Sequence, residues 1–445
     1  MSERQLHFNV LVMDAGYHES AWRVVPEPPD SVLHLEHYLE VARVAERGLL
    51  DSLFFADVPG IAEFRVEHMP QPHFDPIDLL SAVAARTERI GLIATGSTTF
   101  GAPWDLARRF ATLDFLSDGR AGWNVVTTAL PVAARNFGLE RLPDPSERYA
   151  RAQEFVEVVQ RVWDGWEDGA FVGSREQGVW ADRGRLHAPR FRGERFEVAG
   201  ILPFPRSPQG HPLLAQAGAS AGGIALAGRY AEVVFAAKPT LEEGAAYRAE
   251  LRAAAAAAGR DPDHLHVLPG VAFVLGSTEA EARERRAALE SIVSSEFRWR
   301  NLLNMSGFDP DLLDPDEPLP DELLASRPPT SVAARVFEQA RARRVPFREL
   351  AESFAVLPGQ LEFTGTPEQL AETIARWFEA GAADGFTLLP TTLPHQLGEF
   401  ADHVVPLLQA RGIYRREYEG RTLRDHYGLP RPANANVAPV GVGDA

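Results

Sequence analysis

The chain has 445 residues, 45% hydrophobic and 24% charged, enough to bury a core without disulfide or metal staples. It contains no cysteine, which excludes disulfide scaffolds, thiolate zinc sites, iron–sulfur clusters and thiol nucleophiles. Its 45 basic and 62 acidic side chains give a net charge of −17 with no basic stripe, which argues against nucleic acid or an anionic membrane as partner.

Met1-Ser2-Glu3-Arg4 runs straight into a strand-like stretch with no apolar signal region, which predicts an unexported, cytoplasmic protein. No apolar stretch approaches the roughly 20 residues that cross a bilayer. Strand-like runs at 8–13, 52–56, 90–95, 122–126, 212–216, 232–236, 271–275 and 386–389 alternate with helical patterns at 34–47, 77–86, 104–116, 147–163, 221–229, 241–258, 279–294 and 367–380. This alternation predicts a parallel α/β fold. Eight such units match a (β/α)8 TIM barrel, although the count alone also fits an open doubly wound sheet.

Within 104–116, Leu106, Ala107, Phe110 and Leu113 share one stripe, with Arg108, Arg109 and Asp114 off it. Thr278 opens one helix, and Thr366-Pro367-Glu368-Gln369 opens another with a capping hydroxyl, a first-turn proline and a reciprocal glutamine. One domain is expected over 1–428. Its insertions near 164–210 and 297–362 would cover the C-terminal face; the second carries Asp309-Pro310, Pro315, Pro318, Pro320 and Pro328-Pro329. The alanine run 253–258 reads as helix surface, and residues 429–445 read as a flexible tail.

Neither G-x-x-x-x-G-K-[ST] nor a G-x-G-x-x-G after a strand is present, so no dinucleotide site is evident. A redox enzyme of this sequence would take its electrons from elsewhere. His34 and His37, three apart, read as a solvated helix face rather than a metal pair; no metal ligand set is assigned. Gly218-Ala219-Ser220-Ala221-Gly222 matches a nucleophile elbow, with His395, His403 and His426 downstream, so a serine hydrolase is one alternative. The same turn begins a helix, whose free N–H groups and hydroxyl would cradle a phosphate.

Thr95-Gly96-Ser97-Thr98-Thr99, the run from Leu106 to Asp114, and Asp118-Gly119-Arg120-Ala121-Gly122-Trp123-Asn124-Val125-Val126 carry a further signal. It continues through Ala134-Arg135-Asn136-Phe137-Gly138, Arg148-Tyr149, Arg206-Ser207-Pro208-Gln209-Gly210-His211-Pro212 and Gln216-Ala217-Gly218-Ala219-Ser220. This pattern resembles the bacterial luciferase-like flavin-dependent monooxygenases, in the branch of nitrilotriacetate monooxygenase, dibenzothiophene sulfone monooxygenase and pristinamycin IIA synthase.

The resemblance implies a TIM barrel, FMN used as FMNH2, O2 as cosubstrate, and insertion of one oxygen atom into a small organic substrate. It also implies a separate NAD(P)H:FMN reductase as partner and a homodimer or higher homo-oligomer. A deazaflavin-dependent oxidoreductase of the same superfamily and a non-catalytic flavin-binding protein are further alternatives.

By the same resemblance, Asp57, Thr95 and Asn124 face the flavin ring at strand ends, while Tyr149 and Ser220 hold the FMN phosphate. The family commonly has His-Asp before the Glu-Arg-Tyr found here, whereas this chain reads Pro145-Ser146-Glu147-Arg148-Tyr149. The phosphate-side histidine is therefore lost, which implies weaker FMN binding or another donor. His18, in the loop after the first strand, is the candidate catalytic residue, able to move a proton or orient substrate. Trp22 and Arg23 beside it offer an aromatic wall and an anion clamp.

Overall fold

A computed structural model of the chain describes residues 4–61, 63–71, 74–128, 130–326, 331–354 and 359–437; Pro328-Pro329 and 438–445 of the tail lie outside the described residues. Eight parallel strands form the centre: β1 (His7–Leu11), β2 (Ser52–Phe55), β3 (Gly91–Ser97), β4 (Ala121–Val126), β5 (Leu213–Gln216), β6 (Val233–Ala236), β7 (His266–Leu275) and β8 (Gly385–Pro390). They pair in sequence order, and the ring closes where β8 meets β1, His7 opposite Gly385. Closure rules out the open doubly wound sheet. The architecture is a (β/α)8 barrel.

These strands were legible because each is buried on both faces. Leu11, Phe54, Ile93, Leu213, Ala215, Leu268 and Leu389 point inward and pack on one another, while Phe8, Val10, Leu53, Phe55, Leu92 and Trp123 pack against the surrounding helices. Among those helices, Pro367–Glu379 begins with the expected capping box and buries Leu370, Ile374, Trp377 and Phe378. The barrel floor is closed by the C-terminal segment, which inserts Leu423, Tyr427 and Leu429. Among the described residues, no helix is long and apolar enough to cross a membrane.

Several expectations need correction. Leu361–Gly365, which begins at the end of the second expected insertion and runs past it, is a ninth strand, parallel to the upper half of β7 with Val271 opposite Leu361. The rest of that insertion is mainly helical: Ser295–Met305, Asp321–Ala325, Ser331–Arg343 and Phe347–Glu352. These helices enclose their own small core of Trp299, Leu303, Phe337, Phe347 and Leu350. The first insertion carries two hairpins, Phe171–Ser174 with Val179–Ala181 and Phe191–Arg192 with Glu197–Val198.

His37 is buried rather than solvated, its Nε2 2.6 Å from the Asp14 carbonyl oxygen, whereas His34 is exposed. Asp114, off the apolar stripe, is also fully buried. It accepts from Ala121 N at 3.0 Å and Gln209 Nε2 at 2.6 Å, and burial pushes its carboxyl up to about 6. The first part of the tail is not loose: Asn434 is buried and donates to the Asp164 and Trp166 carbonyls at 3.1 and 2.7 Å.

Candidate active site

The C-terminal strand ends gather the expected residues on one rim. Thr95 and Asn124 sit opposite each other on β3 and β4, facing inward in register. Asn124 Nδ2 donates to Thr95 Oγ1 at 2.8 Å, and Thr95 Oγ1 donates to the Phe55 carbonyl at the end of β2 at 2.7 Å. This chain fixes the amide, leaving Asn124 Oδ1 buried with no hydrogen-bond partner among the described residues. A buried acceptor of that kind calls for a donor that the protein itself does not supply. Beyond β2, Asp57 is half-buried; burial and then the neighbouring Asp75 push its carboxyl up to about 6.

Tyr149 and Ser220 meet on the adjacent side of the rim, although 71 residues separate them. Ser220 Oγ donates to Tyr149 Oη at 2.9 Å and accepts from Gly223 N at 3.2 Å, capping the helix Ala221–Tyr230. The first intrahelical bond of this turn is Ile224 N to Ser220 O, so the N–H groups of Ala221 and Gly222 precede it at an exposed helix start. Gly222 has to be glycine, because a Cβ there would lie 2.5 Å from Tyr149 Cδ2. Gln216 Oε1 accepts from Gly218 N at 2.9 Å, and Tyr247 Oη donates to the Gly218 carbonyl at 2.8 Å, fixing the turn from both ends.

The elbow alternative is not met. Ser220 bonds a tyrosine, His395 lies 3.0 Å from Glu27, His403 faces Glu399, and His426 is buried beside Asp51 on the barrel floor. Sequence reasoning missed Lys238, the only lysine in the chain. It follows β6 with its Nζ 4.4 Å from the centre of the Tyr247 ring, and no carboxylate lies within ion-pair distance of it among the described residues. Its singularity in an arginine-rich chain was the available signal.

His18 is buried in the loop after β1. Gly16 brings that loop against the end of β8, where a Cβ would lie 2.3 Å from the Thr391 carbonyl oxygen. The His18 N–H donates to the same oxygen at 3.3 Å. His18 Nδ1 accepts from Ser20 N at 3.2 Å, so Nε2 carries the proton and faces Glu290 Oε1 at 3.8 Å. Burial opposes ionisation of Glu290, yet His18 and Arg298 hold its carboxyl down at about 2. The structure does not bring His18 into contact with Asp57, Thr95 or Asn124; it places them around the same barrel mouth. Among the described residues, no group of three or more His, Asp or Glu side chains is set to hold a metal ion.

A closed parallel barrel with a polar rim at its C-terminal strand ends defines the (β/α)8-barrel class, whose enzymes carry their sites at that face. A family model described as luciferase-like monooxygenase matches residues 15–384. The chain is 40% identical over 438 residues to N-acetyl-S-(2-succino)cysteine monooxygenase of Bacillus subtilis, covering 97% of this chain and 98% of that one. It is 38% identical over 450 residues to nitrilotriacetate monooxygenase component A of Aminobacter aminovorans, covering 98% and 99%. Riboflavin lyase, solved with modified FMN and riboflavin, superposes with a TM-score of 0.84 at 29% identity, covering 96% of this chain and 97% of that one. The chain belongs to the luciferase-like monooxygenase family, and it is a monooxygenase, an oxidoreductase that puts oxygen into its substrate.

Proposed function

We propose that this protein uses FMNH2 and O2 to insert one oxygen atom into a small organic substrate, with the flavin reduced by a separate NAD(P)H:FMN reductase in the cytoplasm. The observation that carries the reading is the pairing of the Tyr149–Ser220 hydroxyls at a helix start with the unpartnered Asn124 Oδ1 on the same rim. Asp57, Thr95 and Asn124 would hold the ring, and the Ser220 turn the phosphate. Reduced FMN supplies two electrons, so that one O2 oxygen enters the substrate and the other leaves as water.

This chain's own residues would bind, orient and exclude water. His18, with Nε2 protonated, would hold or give a proton at the mouth. The helix Ser295–Met305 lies against the 63–71 loop, where Phe297 packs on His68 at 5.0 Å, and would cover the site. Lys238 would replace the phosphate-side charge that Pro145 removes. A homodimer or higher oligomer, as the resemblance implies, is part of the same proposal.

Fluorescence quenching on titration with FMN and with riboflavin tests the cradle. FMN should bind more tightly than riboflavin, and Lys238→Met should cost about tenfold in FMN affinity while leaving riboflavin unchanged. Equal affinity for the two flavins would remove the cradle from the reading. Absence of binding by both, with no oxygen uptake from photoreduced FMN, would overturn it.

A further inference from the structure

A cavity of about 520 Å³ opens on the floor side of the barrel. Its walls come from the last turns of the helices Pro145–Trp163 and Ala221–Tyr230, the approach to β6, the chain after the helix Leu241–Ala257, and the C-terminal segment. The C-terminal wall is pinned: Asn434 holds the Asp164 and Trp166 carbonyls, and Ala435 N donates to Asp164 Oδ2 at 3.1 Å. Tyr149 and Ser220, on the rim, stand at the opposite ends of the same two helices. Ala221–Tyr230 alone has 10 residues, so about 15 Å of helix separates the two places.

Three acids line this cavity, and each has a basic partner. Glu157 pairs with Arg161 at 2.7 Å, Asp164 with Arg206 at 3.2 Å and His211 at 2.7 Å, and Glu232 with both Nη atoms of Arg424 at 2.6 and 2.9 Å. Two further arginines line it with no carboxylate within ion-pair distance among the described residues. Arg260 is half-buried, and its Nη1 donates to the Ala227 and Gly228 carbonyls at 3.3 and 3.0 Å. Arg229, the next residue of that helix, is exposed and lies over the Tyr230 ring at 5.2 Å. Both cations gather at one helix end, whose partial charge of about −0.5 balances only part of them. Burial works against the Arg260 charge; Glu232, already paired with Arg424, offsets part of that, and Arg424 adds to it. In a chain of net charge −17, this cavity carries an excess of positive charge.

We propose that this cavity binds a phosphate monoester, held by the guanidiniums of Arg229 and Arg260 on the floor side of the barrel, apart from the catalytic rim. A monoester carries a charge of about −1.5 to −2 at neutral pH, which matches two cations without counter-charges. Its three terminal oxygens accept from the planar N–H forks of both arginines, where a carboxylate offers two. The volume exceeds that of a phosphate group alone, which leaves room for the esterified body against Leu214 and Tyr230.

Ribose 5-phosphate and ribose are the probes, since the sugar alone lacks the charge. Calorimetric titration of the full chain should show ribose 5-phosphate bound and ribose unbound. Arg229→Gln and Arg260→Gln should each weaken ribose 5-phosphate about tenfold. Arg260→Gln also releases two carbonyls at a helix end, so thermal melts by circular dichroism accompany both variants; Arg229 is exposed, and its variant should melt as the parent does. The arginine-dependent binding should persist in Lys238→Met, which alters the rim. Succinate, whose two charges sit on separate carboxylates, should bind about tenfold more weakly than ribose 5-phosphate. The proposal is overturned by no binding of ribose 5-phosphate, or by undiminished binding in an Arg229→Gln variant that melts normally. Loss of binding in Lys238→Met would place the phosphate at the rim instead, and succinate bound as tightly would remove the monoester; either overturns it too.

Discussion

At Asp57 the rim keeps a carboxyl in a place where ionising is unfavourable. Burial, reinforced by Asp75, raises its pKa from an ordinary aspartate value to about 6. The raised value means the folded state holds the proton more tightly than the unfolded chain does. Its contribution to stability is present in full below about pH 4 and is lost as the pH rises through 6. Asp57→Asn removes this loss. The substitution should leave stability unchanged near pH 4 and raise it by about 1 kcal/mol at pH 8, discounted for partial exposure. Denaturant melts at the two pH values check this. An equal effect at both would mean that Asp57 ionises normally.

The residues at this scale that sequence reading missed are those whose role is tertiary. Asp114 looked like a surface residue because periodicity records only polarity; its acceptor role for Ala121 and Gln209 depends on chain folding back from elsewhere. His37 was misread for the same reason, since its partner is a backbone carbonyl in the loop after β1. Thr95, Asn124, Tyr149 and Ser220 became candidates only because longer motifs surround them. No spacing rule would bring positions 149 and 220 together.

Among the elements, the barrel strands were legible and the second insertion was not. A strand covered on both faces reads as a mainly apolar run, and a run of that kind marks each of the eight. Leu361–Gly365, with Glu362 exposed and Leu361 only half-buried, carries no such signal. In the insertion, prolines suggested loops, but Pro310, Pro320 and Pro346 stand at helix starts, where a missing N–H costs nothing. Because the insertion has its own core, it should loosen on its own. Phe337 is fully buried there and stacks with Phe308 at 5.7 Å. Phe337→Ala should cost about 3 kcal/mol, all of it within the insertion. Hydrogen exchange should then speed up across 295–352 and stay unchanged in β1 to β4. Faster exchange in the barrel as well would show one cooperative unit.

For the whole molecule, the barrel floor sets the response to acid. Asp51 is fully buried on β2's approach, where it accepts from Phe8 N at 2.6 Å and pairs with Arg415 and His7. Asp384, just before β8, pairs with Arg248 at 2.7 Å and accepts from Val267 N at 3.0 Å. Burial opposes ionisation of both, but their cationic partners and backbone donors win, and each carboxyl is held at about 2. Their folded pKa values lie below the unfolded ones, so the stability they give is full above about pH 4 and disappears as the pH falls toward 2. Each should contribute roughly 2 kcal/mol at neutral pH. The two hold together segments far apart in sequence: Asp51 ties β1 and β2 to the C-terminal floor, and Asp384 ties β7 and β8 to the helix Leu241–Ala257. Acid should therefore unfold the barrel cooperatively between pH 4 and 2, where protonation of both removes the clamps. Asp51→Asn should cost about 3 to 5 kcal/mol at pH 7, because it leaves Arg415 buried without its counter-charge. It should also flatten the acid limb of the stability curve. Circular dichroism melts of the parent and variant from pH 7 down to pH 2 decide the matter: an acid transition of unchanged steepness in Asp51→Asn would mean that the floor is not what acid undoes.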